Sequence, residues 1–414
     1  MIARLFAHHP QGRVGMLEGG DGQSMTFRYD PGWLGDREAF PISVTLPLRP
    51  EPFEQEARTF FGNLLPEADL RRALCRRLGL SPDHDFALLA AIGGECAGAL
   101  SLVPSETLDW KDEDYRELTA VELELLTKER VLPAIDGRNG LRLSLAGAQD
   151  KLPVRLDGDR ILLPLKNAAS THILKFANGS FRHLPANEVL TTLIGRSLGL
   201  NVVNAELRPL RREGVCVVER YDRFVGDNGR IARLHQEDLC QALGLPSTRK
   251  YEKEGGPTFV QVLEAVRRHC TQPLDATKRL IDWLIFNALV WNADAHAKNV
   301  SILYDGSSVQ ITAAYDLVST RAYQRLSQEL AMSIGGESDP SALRRRHWEA
   351  MARTAGIGPG LVLRQVRELA ERMEDATATA KAEFLARYGK SPAIERVLPN
   401  IRRQSRRILA QLSA

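Results

Sequence analysis

Residues 280–299 read LIDWLIFNALVWNADAHAKN. An apolar stretch of helical period runs straight into Asn292, Asp294, His296, Lys298 and Asn299. Polar groups at the end of a buried helix need partners or a purpose, because an unsatisfied buried polar atom is costly. Asp294 and Asn299 stand in the spacing Asp-x-x-x-x-Asn. That is the spacing of a protein-kinase catalytic loop, where the Asp receives the acceptor hydroxyl's proton and the Asn holds magnesium. The pair SILYDG (301–306) and VQITAAYD (309–316) follows at once and ends near Asp316. A second carboxylate there suits Mg2+, a hard cation that takes oxygen ligands and few of them from protein. A plainer alternative makes Asp294, His296 and Asn299 a helix C-cap and turn, with Asp316 a turn residue at a strand end. His296 as a metal ligand lacks a second His or Cys at ligand spacing.

Upstream, HILKF (172–176) ends a strand near Lys175, and the helix PANEVLTTLIGRSLG (185–199) carries Glu188 in its first turn. A strand lysine able to meet both a nucleotide phosphate and a helix carboxylate is the kinase Lys–Glu arrangement. A lysine decorating an exposed strand is the alternative. Between them and the N-terminal part lies NGLRLSLAGAQDK (139–151), in which Gly140, Ala146, Gly147 and Ala148 leave room for phosphates beside the backbone and Lys151 adds a charge. It is neither G-x-G-x-x-G nor a P-loop, so a plain flexible hairpin remains open.

Alternating segments RVGMLEGG, QSMTFRYD and PISVTLPL predict strands at the start. EQEARTFFGNLL, EADLRRALCRRLGL and DHDFALLAAIG then predict helices, and CAGALSLVP a closing strand. Residues 1–110 thus read as an N-terminal α+β subdomain. Residues 111–233, with HILKF, NAELRPL and GVCVVERYD, read as a mostly antiparallel sheet lobe. Residues 234–414 read as an α-helical lobe that includes HQEDLCQALGL, TFVQVLEAVRRHC and the long PGLVLRQVRELAERMEDATATAKAEFLARYG. A sheet lobe followed by a helical lobe is the order of a two-lobed, protein-kinase-like α+β fold.

The five cysteines, Cys75, Cys96, Cys216, Cys240 and Cys270, are scattered without a Cys-x-x-Cys pair, which argues against a disulfide framework or a zinc site. No apolar run reaches the roughly 20 residues of a spanning helix, and the N-terminus lacks the features of a secretory signal. The expected location is therefore cytoplasmic, away from the membrane. From Ser341 onward 15 Lys and Arg face 7 Asp and Glu, so this stretch is basic although the whole chain carries only +3. The clusters RRR (344–346) and RRQSRR (402–407) are solvated helix faces or a surface for phosphates or an acidic partner.

FFGNLLPEADLR, AAIGGECAGAL, LSLAGAQDKLPV, HILK, LPANE, VVERYDR, RLHQEDLCQALG, NADAHAKN, AYDLVSTR and LAMSIGG, in this order, resemble the successive signature segments of the HipA family of serine/threonine toxin kinases. The resemblance implies ATP and Mg2+ as cofactors, Asp294 as catalytic base, and Asn299 with Asp316 as metal ligands. It implies that Lys175 holds ATP phosphates, that Glu219 and Tyr221 contact adenine, and that Gln236, His296 and Tyr315 line the nucleotide pocket. Ser144 matches the serine that family members phosphorylate in themselves to switch off; an added dianion would favour ejecting its loop from the phosphates. The family implies a helix-turn-helix antitoxin partner, HipB, bound to operator DNA. It also implies a translation enzyme as substrate, an aminoacyl-tRNA synthetase such as glutamyl-tRNA synthetase. Residues alone also admit a small-molecule or lipid phosphotransferase, or a non-catalytic partner of a repressor.

Overall fold

The computed structural model describes residues 3–20, 24–129, 151–177, 181–210, 214–226 and 229–413. The chain divides into two compact units. One comprises Met1–Phe176, Glu219–Ser247 and Leu303–Asp305; the other comprises Ala177–Val218, Thr248–Ile302 and Gly306–Ala414.

The first unit opens on a four-stranded antiparallel sheet in the order Met25–Tyr29, Gly12–Gly19, Ala3–His9, Ser101–Val103. Period-two alternation puts Leu17, Phe27 and Tyr29 into a core completed by Phe53, Phe60 and Phe61. The helices Gln55–Gly62, Ala68–Leu78 and Asp85–Ile92 add further side chains to that core, among them Leu74, Leu88 and Leu89. PISVTLPL is not the strand its alternation predicts. Pro41 and Pro47 cannot donate to a ladder, and Leu46 N turns back onto Ser43 O (3.0 Å). The buried Tyr29 hydroxyl holds the segment in that turn, donating to Leu46 O (2.5 Å) and accepting from Ile42 N (3.0 Å). Conversely, Ala3–His9 is a strand that the sequence reading did not pick out.

A second antiparallel layer in this unit runs Glu113–Glu117, Arg160–Lys166, Lys151–Asp157, His172–Lys175. The hairpin Arg223–Val225 with Ile231–Arg233 follows. HQEDLCQALGL, expected to be helical, is instead a strand over His235–Asp238 and a helix of one turn, Leu239–Ala242. The reason is capping: Asp238 and Gln241 form a reciprocal capping box that starts the helix only at Leu239. All four strand residues are buried, so no polar helical face was available to them.

The second unit is mainly helical: Leu184–Ser197, Phe259–His269, Pro273–Val290, Arg345–Thr354, Pro359–Tyr388 and Pro392–Ser413. Thr258 and Gln261 cap the second of these, and proline sits in the first turn of Pro273–Val290 and Pro359–Tyr388, where its missing N–H costs nothing. Ile285 through Val290 are all buried, so the last turns of Pro273–Val290 have no solvent face. Among the described residues no helix is long and apolar enough to cross a membrane.

Candidate active site

The polar residues that follow Pro273–Val290 build a rigid turn. Trp291 ends the helix at φ +56°, a left-handed conformation that costs a non-glycine residue on the order of 1 kcal/mol. Its indole offsets this by donating to Gln328 O (3.0 Å) under the Arg321 guanidinium, 4.6 Å from the ring centre. The turn brings Asn292 back beneath the helix. Its Nδ2 donates to Asn287 Oδ1 (2.8 Å) and Asp316 O (3.3 Å), and its Oδ1 accepts from Asp294 N (3.1 Å). One buried amide therefore ties the backbone of Asp294 to that of Asp316. Thr320 clamps the other side, its hydroxyl donating to Trp291 O (2.8 Å) and accepting from Ala293 N (2.9 Å).

Asp294 carries an exposed carboxylate at the tip of this turn. Asn299 Nδ2 donates to Asp294 O (2.8 Å), while His296 N donates to Asp294 O (2.9 Å) and Asn299 N to His296 O (2.9 Å). The four intervening residues thus close into one loop. With the nitrogen of Asn299 committed, its amide oxygen is the atom able to ligate a cation. Asp316 lies at φ +54°, the second strained non-glycine residue of the loop region. Tyr315 gives its hydroxyl to Lys298 O (2.7 Å) and pairs with Ser301 Oγ (2.7 Å), so it braces the loop from below. His296 is buried, with Nε2 3.8 Å from Asp294 Oδ1. Its ring meets Tyr251 edge-on at 5.2 Å, and the Tyr251 hydroxyl donates to that same Oδ1.

The remaining predicted residues belong to the other unit. Lys151 and Lys175 are register partners on adjacent antiparallel strands, with Lys175 buried. Like charges directly opposite each other are unfavourable unless anions share them. Tyr221 donates its hydroxyl to Gln236 Oε1, and Gln236 Nε2 donates to Asp222 Oδ2 (3.1 Å). Glu219 is exposed. Ser144, Ala146, Gly147 and Ala148 lie outside the described residues.

Sequence reasoning missed three charged residues of VERYDR. Arg220, Asp222 and Arg223 point inward, into a fully buried cluster. Asp222 Oδ2 accepts from Arg220 Nη2 (2.7 Å) and Gly98 N (2.8 Å) and lies 3.0 Å from Arg223 Nη1. Glu95 Oε1 accepts from Ser170 Oγ (2.9 Å), Arg220 Nη1 (3.2 Å) and Arg223 Nη2 (3.2 Å), and Arg233 stands 2.9 Å from its other oxygen. Burial alone would raise the Glu95 carboxyl; the three guanidiniums outweigh it and bring the pKa down to about 2. The same contest leaves Asp222 well below the usual carboxylate range. Gly98, at φ +79°, has space for no side chain: a Cβ would stand 3.0 Å from Gln236 N. Residues 220–222 form the turn between the strands Val215–Glu219 and Arg223–Val225, so no local period announced which of them face inward.

Among the described residues no three His, Cys, Asp or Glu groups gather as a metal site. An amide oxygen from Asn299 and a carboxylate from Asp316 are the kind of sparse oxygen set that could hold Mg2+ with phosphates and water completing its shell.

Comparison with known proteins identifies the family. The HipA-like C-terminal domain family matches residues 143–381, and the HipA N-terminal domain family matches residues 6–103. The protein Y4mE of Sinorhizobium fredii is 41% identical over 366 residues, 87% of this chain and 86% of its own. The serine/threonine-protein kinase toxin HipA of Shewanella oneidensis is 32% identical over 382 residues, 87% of each chain. A solved structure of the Shewanella oneidensis toxin–antitoxin complex of HipA, HipB and operator DNA superposes with a TM-score of 0.85 at 29% identity, covering 98% of this chain and 97% of that one. The chain belongs to the HipA family of serine/threonine-protein kinase toxins.

Proposed function

We propose that this kinase transfers the γ-phosphoryl group of ATP, with Mg2+, to a serine or threonine of a protein, and that the transfer arrests growth. Asp294 is the base that takes the acceptor hydroxyl's proton as its oxygen bonds to the γ-phosphorus and ADP departs. Mg2+, when bound, neutralises charge on the phosphates, and Asn299 and Asp316 would hold it. Lys175 and Lys151 bind phosphate oxygens; Glu219, Tyr221 and Gln236 form the adenine side of the pocket. His296 and Tyr315 keep the catalytic loop in shape. One observation carries the reading: the Asn292 side chain bonds both the Asp294 and the Asp316 backbones, so base and metal carboxylate are held as one unit.

Further parts of the proposal rest on the family. Ser144 is the autophosphorylation site, the substrate is a translation enzyme such as an aminoacyl-tRNA synthetase, and a HipB-like helix-turn-helix protein is the antitoxin that brings the kinase to operator DNA. The protein works in the cytoplasm.

The test is phosphate transfer from radiolabelled ATP to lysate proteins, read beside growth after induction. Asp294→Gln and Asp316→Asn are each expected to lose both activities, by at least about 100-fold for transfer. A kinase-dead variant that still arrests growth refutes the mechanism, and mass spectrometry of the incubated protein checks phosphate on Ser144.

A further inference from the structure

Tyr251 has no assigned part in the site, yet its hydroxyl donates a hydrogen bond to Oδ1 of Asp294. The contact arises within one unit and between residues 43 apart in the chain. The segment that delivers it is fastened by its C-terminal side. Just beyond the tyrosine, Glu252 N donates to Ala331 O (2.9 Å), and the Glu252 carboxylate accepts from Ser333 Oγ (2.9 Å) and Ser333 N (2.5 Å). Gly256 N then closes back on Tyr251 O (2.9 Å). A Cβ at Gly256 would stand 2.6 Å from that oxygen, so glycine is what lets the loop close. The phenol ring is steadied by the edge of His296 at 5.2 Å, and His296 Nε2 approaches the same carboxylate oxygen at 3.8 Å.

Two groups thus converge on Oδ1 of an exposed side chain. From this geometry, and resting on the reading of Asp294 as base, we infer that Tyr251 is a positioning residue for phosphoryl transfer. It fixes the plane of the Asp294 carboxylate, so that the other oxygen, Oδ2, meets the acceptor hydroxyl in one direction. A base must lie within hydrogen-bond reach of the proton it takes and in line with the reacting groups, and small misplacements lower the rate steeply. Tyr251 touches neither nucleotide nor acceptor in this role. Its removal should therefore act on the chemical step and leave ATP affinity alone.

The experiment compares the intact protein with Tyr251→Phe and Asp294→Asn, measuring ADP release from Mg-ATP with casein as acceptor and with water alone. A fluorescent ATP analogue reports nucleotide binding, and a thermal melt reports folding. For Tyr251→Phe the expected result is a kcat lower by about 10-fold or more, with KM for ATP, analogue affinity and melting temperature unchanged. Unchanged or increased kcat overturns the inference, the increase by showing that the hydroxyl blocks the base. Parallel weakening of nucleotide binding and stability also overturns it, since the contact is then only structural. Should Asp294→Asn turn over at the wild-type rate, the base assignment itself fails; loss in Asp294→Asn with a normal Tyr251→Phe sinks the inference alone.

Discussion

Glu237 shows how a single buried carboxyl can set a pH dependence unrelated to catalysis. Its side chain accepts from Ser43 Oγ (2.6 Å), Val44 N (3.0 Å) and the Tyr304 hydroxyl. Burial is the larger effect and pushes its pKa up to about 7, against the pull of those hydrogen bonds. Between the ordinary value of 4.5 and about 7 the folded chain therefore holds a proton that the unfolded chain has released. Stability contributed by this group is complete below that window and is lost as pH rises through it, levelling off above about pH 7. Burial lowers the pKa values of His8, His9, His235, His269 and His347, which add stability as pH rises through the same window. The Glu237 contribution is therefore read as a difference between native protein and variant in urea midpoints from about pH 5 to about pH 8. Glu237→Gln, neutral throughout, should gain more stability than the native protein as pH rises through that window; an identical slope in the variant would locate the titration elsewhere.

At the scale of the element, the end of Pro273–Val290 decides the site. Ordinary helices stop at a glycine that adopts the left-handed conformation freely; here Trp291 adopts it, and Asn292 and Thr320 hold the result. Asn292→Ala removes both donors and the acceptor of a fully enclosed amide, leaving the Asn287 oxygen and the Asp294 N–H without that partner. The expected cost is about 1–3 kcal/mol of stability, read by denaturant unfolding, with phosphate transfer falling further than the stability loss explains. Equal activity at unchanged stability would mean the Asp294 turn is held without it. The spacing of Asp294 and Asn299 was readable because it is local: five residues apart, they meet within one turn whatever else the chain does. The HQED strand was misread for the opposite reason, since a capping box three residues inside the segment and tertiary burial override a short apolar period.

In the molecule as a whole, the first unit is stapled at its centre by charge. Glu95 and Asp222 face Arg220, Arg223 and Arg233, all nearly inaccessible to solvent. Such a cluster adds little net stability while complete, but removal of one member leaves the others buried and uncompensated. Glu95→Ala is expected to cost about 3–5 kcal/mol, measured by chemical denaturation. Since Asp222 also holds Gln236, the residue proposed on the adenine side, this loss should also weaken ATP binding. Near-native stability would show that the cluster tolerates its excess positive charge.

The sequence by itself determined the family and most of the helices, and it named the groups proposed to react. Helical and strand periods, caps and the Asp-x-x-x-x-Asn spacing depend on neighbours a few residues apart, which local chemistry fixes. Only the tertiary structure decided which side chains restrain them. Tyr251 reaches Asp294 across 43 residues, and Gly98 reaches Asp222 across 124. Nothing in a local pattern encodes such a partner, because it is chosen by how packed elements bring their faces together.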